Sequence, residues 1–497
     1  MAETEFAEAG VRYGTPVGRW VLLATVLGSG VAALDATVVN VALPQIGAEL
    51  GANVSGLQWT LNGYLLTLAA LILLGGSLGD RYGRRRVFVI GVIWFAVASL
   101  LCGAAVNVPM LVAARALQGV GGALLTPGSL AILQASFVPE DRSRAIGAWS
   151  GLGGVAAAVG PLLGGVLVDA ASWRWVFLLN LPLAAWVVAV ASRHVPETTD
   201  PTAEGRHMDI AGSVLAAVGL GGVTYALIEA PERGATSPLI LAAAVAGLAS
   251  LAGFVVVERR GSHPMLPLDI FTSRQFTAAN LVTFAVYGAL SGTFFLLVVH
   301  LQQVVGFTPL QAGAATLPIT ALMLALSARA GQLAQRIGPR VPMAAGPLVL
   351  AAGLLMMGRI GPGSEYVSDI LPAVLLFGSG LVITVAPLTA AVLAAADARH
   401  AGIASGVNNA VARAAGLLAV AIIPVLAGLT GDAYEEPAVF AAGFSQATLI
   451  SAVLAAAGGV LAWLTISNDL AAPTAPEPEH HCAIAGPPLR PGATTHR

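Results

Sequence analysis

One carboxylate in this chain stands where a carboxylate is costly. Asp35 lies within LDATVVNVALP (Leu34 to Pro44), deep in the first long apolar run, with apolar residues on both sides. A central acid costs about 2.5 to 3.5 kcal/mol to insert into a bilayer, so it is a functional-site hypothesis by default. Protonation neutralises it, which makes Asp35 a natural switch; an acid paired with an arginine for packing alone is the plainer reading. The candidate partner is Arg115, in the fourth apolar run, PMLVAARALQGVGGALLTPGS. At about 100° per residue Arg115, Gln118, Gly119, Gly122 and Thr126 share one face of a helix. An arginine does not release its proton, so its work there is electrostatic: stabilising ionised Asp35 or an anionic group. The alternative is an arginine snorkelling to the interface. The sequence alone does not show whether Arg115 reaches Asp35.

The second charged feature is a turn, Gly76 to Val87 (GSLGDRYGRRRV), between two apolar runs; Arg81, Arg84, Arg85 and Arg86 make it the most basic stretch of the chain. Arginines next to membrane spans are retained on the cytoplasmic side, so the turn is expected inside the cell. Gly76, Leu78, Asp80, Arg81, Gly83 and Arg84 fit the pattern G-x-L-x-D-R-x-G-R. That pattern resembles the one that the major facilitator superfamily places between its second and third membrane helices. Its glycines allow a tight turn, and its acid and arginines can form an ionic latch against a neighbouring helix end.

The elements that hold these residues follow from composition. Of 497 residues 57% are hydrophobic and 10% charged, with a mean hydropathy of +0.82. Soluble domains carry about 25% charged residues, so this is a polytopic membrane protein, all-α. About fourteen apolar segments of roughly 20 residues can be marked, from 19–43 to 443–466, each long enough to cross the hydrocarbon core. With an even number of spans both termini share one side. On the side of the basic turn fall 19 arginines, against three (Arg174, Arg233 and Arg359) on the other. This bias puts the N and C termini in the cytoplasm of a cell-membrane protein. The acidic first eighteen residues are unlike a secretory signal.

All 24 basic residues are arginine. Without lysine there is no phosphate-binding loop ending in Gly-Lys-Ser/Thr and no Schiff base, so neither nucleotide drive nor lysine chemistry is expected. The cysteines, Cys102 and Cys482, offer neither a disulfide framework nor a CxxC metal site, and His480, His481 and Cys482 lie in a Pro- and Ala-rich tail; no metal or cofactor is expected.

An echo of the turn, GQLAQRIGPR (Gly331 to Arg340), follows the tenth span with Gln335 in place of Asp80. It argues for two related six-helix halves with two helices inserted between them. The expected division is a cytoplasmic segment 1–18, a first six-helix bundle 19–193, two inserted helices with linkers 194–274, a second bundle 275–470 and a disordered tail 471–497. On the fifth span Gly147, Gly151, Gly154, Ala158, Pro161 and Gly165 form a small-residue stripe that allows close helix approach, with packing as the simpler reading.

Further motifs sharpen the resemblance. LDATVVNVALP, the run from Arg115 to Gly119, the G-P-x-x-G-G of Gly160, Pro161, Gly164 and Gly165, WRWVFLLNLP (Trp173 to Pro182) and LQQVVGFTPLQAG (Leu301 to Gly313) look like successive motifs of the fourteen-span drug:proton antiporters of that superfamily. The resemblance covers most of the chain, with Ala156 and Ala419 where the family usually or often has glycine. It implies a major facilitator fold and export of small amphiphilic organic molecules, drugs, antibiotics or dyes, in exchange for protons. The motif on span five, with Gly147, Gly160, Pro161, Gly164 and Gly165, is associated with antiport rather than uptake. Asp35 and Arg115 are then the coupling pair, and Gly76, Asp80, Arg81, Gly83 and Arg84 the cytoplasmic latch. Arg413, beyond Asn408 and Asn409, reads as a latch partner, part of the gate, or a packing residue.

Candidate cavity residues are Asn40, Trp59, Asn62, Tyr64 and Gln118 in the first half. Asn280, Tyr287 and Gln302 are their counterparts in the second. Their mixed aromatic and uncharged polar character suits a tolerant site; interface anchoring suits several equally well. A carrier for one dedicated metabolite or lipid is the nearest competing reading. A membrane enzyme is disfavoured by short loops without a cluster of Asp, His and Lys. Nucleic acid and nucleotide are not expected partners, and a monomer is the expected state.

Overall fold

The computed structural model describes residues 10–200, 208–261, 264–395, 401–433 and 436–468. Among them, fourteen helices are long and apolar enough to cross a membrane. The first six are α1 (Pro16–Leu50), α2 (Val54–Tyr82), α3 (Arg84–Gly103), α4 (Val108–Ser136), α5 (Pro139–Ala170) and α6 (Arg174–His194). The inserted pair is α7 (Ile210–Arg233) and α8 (Pro238–Arg260). The last six are α9 (Arg274–Gln303), α10 (Pro309–Ile337), α11 (Arg340–Met357), α12 (Tyr366–Ala394), α13 (Ala401–Leu426) and α14 (Pro437–Thr465). The expected tail lies outside the described residues.

Backbone groups inside a bilayer must bond within their own segment, so these apolar runs fold as helices, and polar side chains end them where water begins. Thr15, Asn53 and Asn107 each accept a backbone N–H in the first turn of α1, α2 and α4. The first span runs longer than its hydropathy suggests. Pro44 lies inside α1, which continues to Leu50 and stops at Gly51, held at φ +63°, a conformation glycine adopts freely.

Contacts fall into two groups of six. In the first, α4 packs on α2 and α3, α1 on α5, and α6 on α1 and α3; in the second, α11 packs on α12 and α14, α9 on α13 and α14, and α10 on α12. The inserted α7 and α8 pack on each other, and α7 also lies against α2 and α13, across one seam between the groups. Its Gly221 faces Leu66 of α2.

The groups are joined most tightly at the end away from the basic turn. Gln58 of α2 donates to the Val420 and Ala421 carbonyls of α13 (2.7 and 3.1 Å), Gln302 of α9 to Val41 O of α1 (3.0 Å), and Val54 N to Gly431 O (2.9 Å). Where α5 meets α10, Leu310 N donates to Asp169 (3.1 Å), and side chains at Gly165 or Gly313 would strike the Leu310 and Pro161 backbones. Toward the basic-turn end the same two helices part. Around Gly147, Gly151, Gly153 and Gly154 there is open space where a side chain would project, and Leu152 of α5 and Leu324 and Leu333 of α10 are about half exposed.

Candidate functional site

The acid and the arginine singled out by sequence meet. Arg115 Nη1 donates to Asp35 Oδ2 at 2.6 Å, with the arginine 1% and the acid 0% exposed, so the snorkelling alternative is excluded. The other carboxylate oxygen accepts from Gln118 Nε2 (2.8 Å) and Asn180 Nδ2 (2.9 Å). Ser99 Oγ accepts from the same two amides, and Gln118 Oε1 accepts a second arginine proton at 2.6 Å. Arg115 Nε donates to Thr60 O at 2.9 Å, which fixes the guanidinium plane. Its flat face lies 4.5 Å from the Tyr64 ring centre, a cation–π contact.

Five helices build this cluster: α1 gives Asp35, α2 Thr60 and Tyr64, α3 Ser99, α4 Arg115 and Gln118, and α6 Asn180. Close helix approach makes it possible. Gly119 lets α4 press on the Tyr64 carbonyl, where any side chain would collide. A buried ion pair survives only when its remaining donors and acceptors are also bonded, and here three donors converge on one carboxylate. Gln118, read as a cavity residue, is a member of this network. Ser99 and Asn180 were not singled out from sequence; each is a lone polar residue in its span, and only the packing turns both toward Asp35.

The basic turn forms a second charged cluster. Arg84 pairs with Asp80 one turn earlier (2.8 Å), and Arg81 lies over Tyr82. Gly83, at φ +108°, makes the break between α2 and α3. The unforeseen member is Glu197, in the strap of residues 195–200 that follows α6. Its carboxylate accepts the first free amides of α3, Arg85 N (3.0 Å) and Arg86 N (3.1 Å), a negative charge on a helix N-terminus. Arg84 N donates to Thr198 O and Asp200 N to Asp80 O, each at 2.9 Å. A side chain at position 83 would collide with the Glu197 carboxylate. In sequence the signal was available as an acid shortly after the sixth span, but nothing there shows that the strap returns to the turn.

Gly160 and Gly164 of the span-five motif face Thr37 and Val38 of α1, and Gly165 faces α10; the Pro161 carbonyl lies against Gly313, where a side chain would strike it. Gly147 has no neighbour where its side chain would be.

The remaining candidates scatter. Trp59 turns away from the interior toward the inserted pair, donating to Glu229 of α7 at 2.9 Å, and Glu229 pairs with Arg233 at 2.6 Å. Asn280 is tied to α13, accepting from Asn408 at 3.1 Å. Asn40 and Gln302 sit near the joined end, Gln302 bonded across to α1. Asn62 is fully buried with neither side-chain atom bonded.

Arg413 is half-buried in mid-helix on α13, with no hydrogen bond or ion pair among the described residues. Its level on α13 follows from the contacts on either side of it: Gly406 lies against Leu73 of α2, and the Val420 carbonyl accepts from Gln58. Leu73 is seven residues before Asp80 and Arg413 lies seven residues beyond Gly406 toward the Gln58 contact, so about 20 Å of helix separates Arg413 from the basic turn, one of the three places its reading allowed.

Comparison with known proteins places this arrangement. Residues 25–420 match the Major Facilitator Superfamily. The chain is 38% identical over 393 residues to multidrug resistance protein Stp of Mycobacterium tuberculosis, covering 78% of this chain and 72% of that protein. It is 34% identical over 473 residues to the methylenomycin A resistance protein of Streptomyces coelicolor, covering 94% and 96%. It is 35% identical over 420 residues to the tetracenomycin C resistance and export protein of Streptomyces glaucescens, covering 84% and 77%. Among solved structures, a POT family transporter bound to a thioalcohol-conjugated peptide superposes with a TM-score of 0.68 at 13% identity, over 90% of this chain and 96% of that one. A bacterial homologue of the lysosomal transporter Spinster, inward-facing and occupied, gives 0.63 at 17% identity, over 91% and 98%. The chain is a multi-pass membrane transporter rather than an enzyme, and it belongs to the major facilitator superfamily, among relatives that are multidrug and antibiotic resistance efflux proteins.

Proposed function

We propose that this protein exports small amphiphilic organic molecules across the cell membrane in exchange for protons, by alternating access and without a cofactor. The observation that carries the reading is the buried Asp35 carboxylate with Arg115, Gln118 and Asn180 converging on it, in a chain whose relatives are resistance and export proteins. A proton on Asp35 breaks the ion pair and leaves Arg115 uncompensated, so protonation shifts the packing of α1, α4 and α6 together. One charge crossing about 100 mV supplies about 2.3 kcal/mol, enough to hold cargo at a gradient of roughly fifty-fold.

The arginine bias puts the basic-turn end and both termini in the cytoplasm. With that orientation the joined end is external and the parted α5–α10 seam opens inward, an inward-facing state. Gly165 and Gly313 then serve the external closure, and the Asp80–Arg84 turn, held by Glu197, is poised for the cytoplasmic one.

The test is transport into inverted vesicles with an imposed pH gradient, using ethidium, puromycin and an anionic dye, wild type beside Asp35→Asn. Gradient-dependent uptake that the variant loses, at equal protein level, is the expected result. Equal transport by both proteins removes Asp35 from coupling; no uptake of any compound by the wild type removes drug export and favours a carrier for one dedicated metabolite.

A further inference from the structure

Between two contacts that join α2 to α13, the seam holds polar groups that bond to nothing. At one end Gln58 reaches the Val420 and Ala421 carbonyls; at the other Gly406 lies against Leu73. Asn409 and Arg413, one helical turn apart on the same side of α13, fall between these contacts. Both are part-exposed, and neither has a hydrogen bond or ion pair among the described residues. Asn62, one turn beyond Gln58 on the same face of α2, is 0% exposed with both its amide nitrogen and its oxygen unpaired. Polar groups in a seam are normally bonded, so a part-exposed guanidinium and carboxamide without partners, with an unpaired amide on the facing helix, mark a place a ligand can complete.

The sign of the charge identifies the ligand's chemistry. Asp35 is matched by Arg115, whereas the Arg413 charge is paired with no carboxylate among the described residues. A planar fork of N–H donors takes paired oxygens best. The Asn409 carboxamide, one turn away on the same side of the helix, adds both a donor and an acceptor for an oxygen-rich group.

We propose that Arg413, with Asn409 and Asn62, is the docking point for an anionic or strongly polarised oxygen group of the cargo, such as a carboxylate, a phenolate or a quinone carbonyl, and that its charge disfavours cations. The inference deepens the export reading and rests on it. It assigns Arg413 to cargo selection rather than to the basic turn.

Two measurements keep it separable from that reading. First, carboxyfluorescein and ethidium are titrated into the detergent-purified full chain, followed by fluorescence anisotropy, for wild type, Arg413→Gln and Arg413→Lys. The expected result is carboxyfluorescein bound more tightly than ethidium by the wild type, affinity lowered at least tenfold in Arg413→Gln, and most of it kept in Arg413→Lys. Ethidium bound more tightly than carboxyfluorescein by the wild type overturns the proposal. So does an equal loss of both dyes in Arg413→Gln at unchanged melting temperature, which marks a structural role. Second, both dyes are followed in inverted vesicles, where the ratio of carboxyfluorescein to ethidium uptake should fall at least tenfold in Arg413→Gln. Selective carboxyfluorescein binding without any dye transport sustains the docking point and sinks the export reading.

Discussion

The two six-helix groups meet the same structural demands with different chemistry. In the first, the turn between second and third helices is clamped by Glu197 from the chain after its last helix; in the second, Gly338 (φ +85°) makes the turn and Asn468, after α14, accepts from Arg340 N at 3.1 Å. Glu197 meets Gly83 as Asn468 meets Gly338. Asp80 has Gln335 as its counterpart. The contrast continues inside: the first group buries Asp35 with Arg115, the second bridges α9 and α13 through Asn408 to Asn280 and Thr283. Geometry is repeated while these carboxylates are kept in one copy. Under the proposed exchange, the first group is the one expected to respond to protons.

The sharpest way to break the contrast is to leave the buried acid alone. Arg115→Leu strips Asp35 of its counter-charge and should destabilise the protein by about 3 to 5 kcal/mol, read as a fall in melting temperature. Adding Asp35→Asn to that variant should restore much of the loss; no restoration would mean that the damage is to packing. Next comes the joint between the groups. Gly313→Val sets a side chain against the Pro161 carbonyl and should shift the population away from the state described here, seen as increased labelling of a cysteine placed at Leu310.

A smaller effect is expected at the two clamps. Glu197→Gln removes a charge from the α3 N-terminus and should cost about 1 kcal/mol, less at high salt because screening already weakens the wild-type contact. Asn468→Ala, at the neutral clamp, should cost a similar or smaller amount with no salt dependence. Matching salt profiles for the two would remove the distinction drawn between the groups. Of similar size is Trp59→Phe, which deletes the bond to Glu229 and should cost about 1 kcal/mol, loosening α7 from α2 without altering dye selectivity.

Much of this architecture was legible before any coordinates. Fourteen spans follow from hydropathy because a bilayer leaves the backbone few options, and Asp35 and Arg115 stand out because charge there is costly. The sequence was silent wherever a side chain had to choose among neighbours. Trp59 and Gln118 both read as cavity residues, yet one faces α7 and the other Asp35, since helical periodicity gives a face but not what lies against it. Arg413 was left open between latch partner, gate and packing residue, since its type gives no depth along the helix. Glu197 and Asn468 were overlooked because both lie in short segments after a span, where no periodic pattern says which way the chain folds back.

The strap of residues 195–200 is fastened to the α2–α3 turn through backbone and side chain before the chain departs toward α7. Such a fastening acts as the strain relief on a cable: slack or tension in whatever follows ends at the clamp and does not reach α6. Additional spans can then be spliced in beyond residue 200 with the end of α6 held in place, and only the face of α2 that meets them, with Trp59 and Leu66, has to be fitted. An evolving chain, or a protein engineer, is given a socket there for a hairpin, and this protein has one in it.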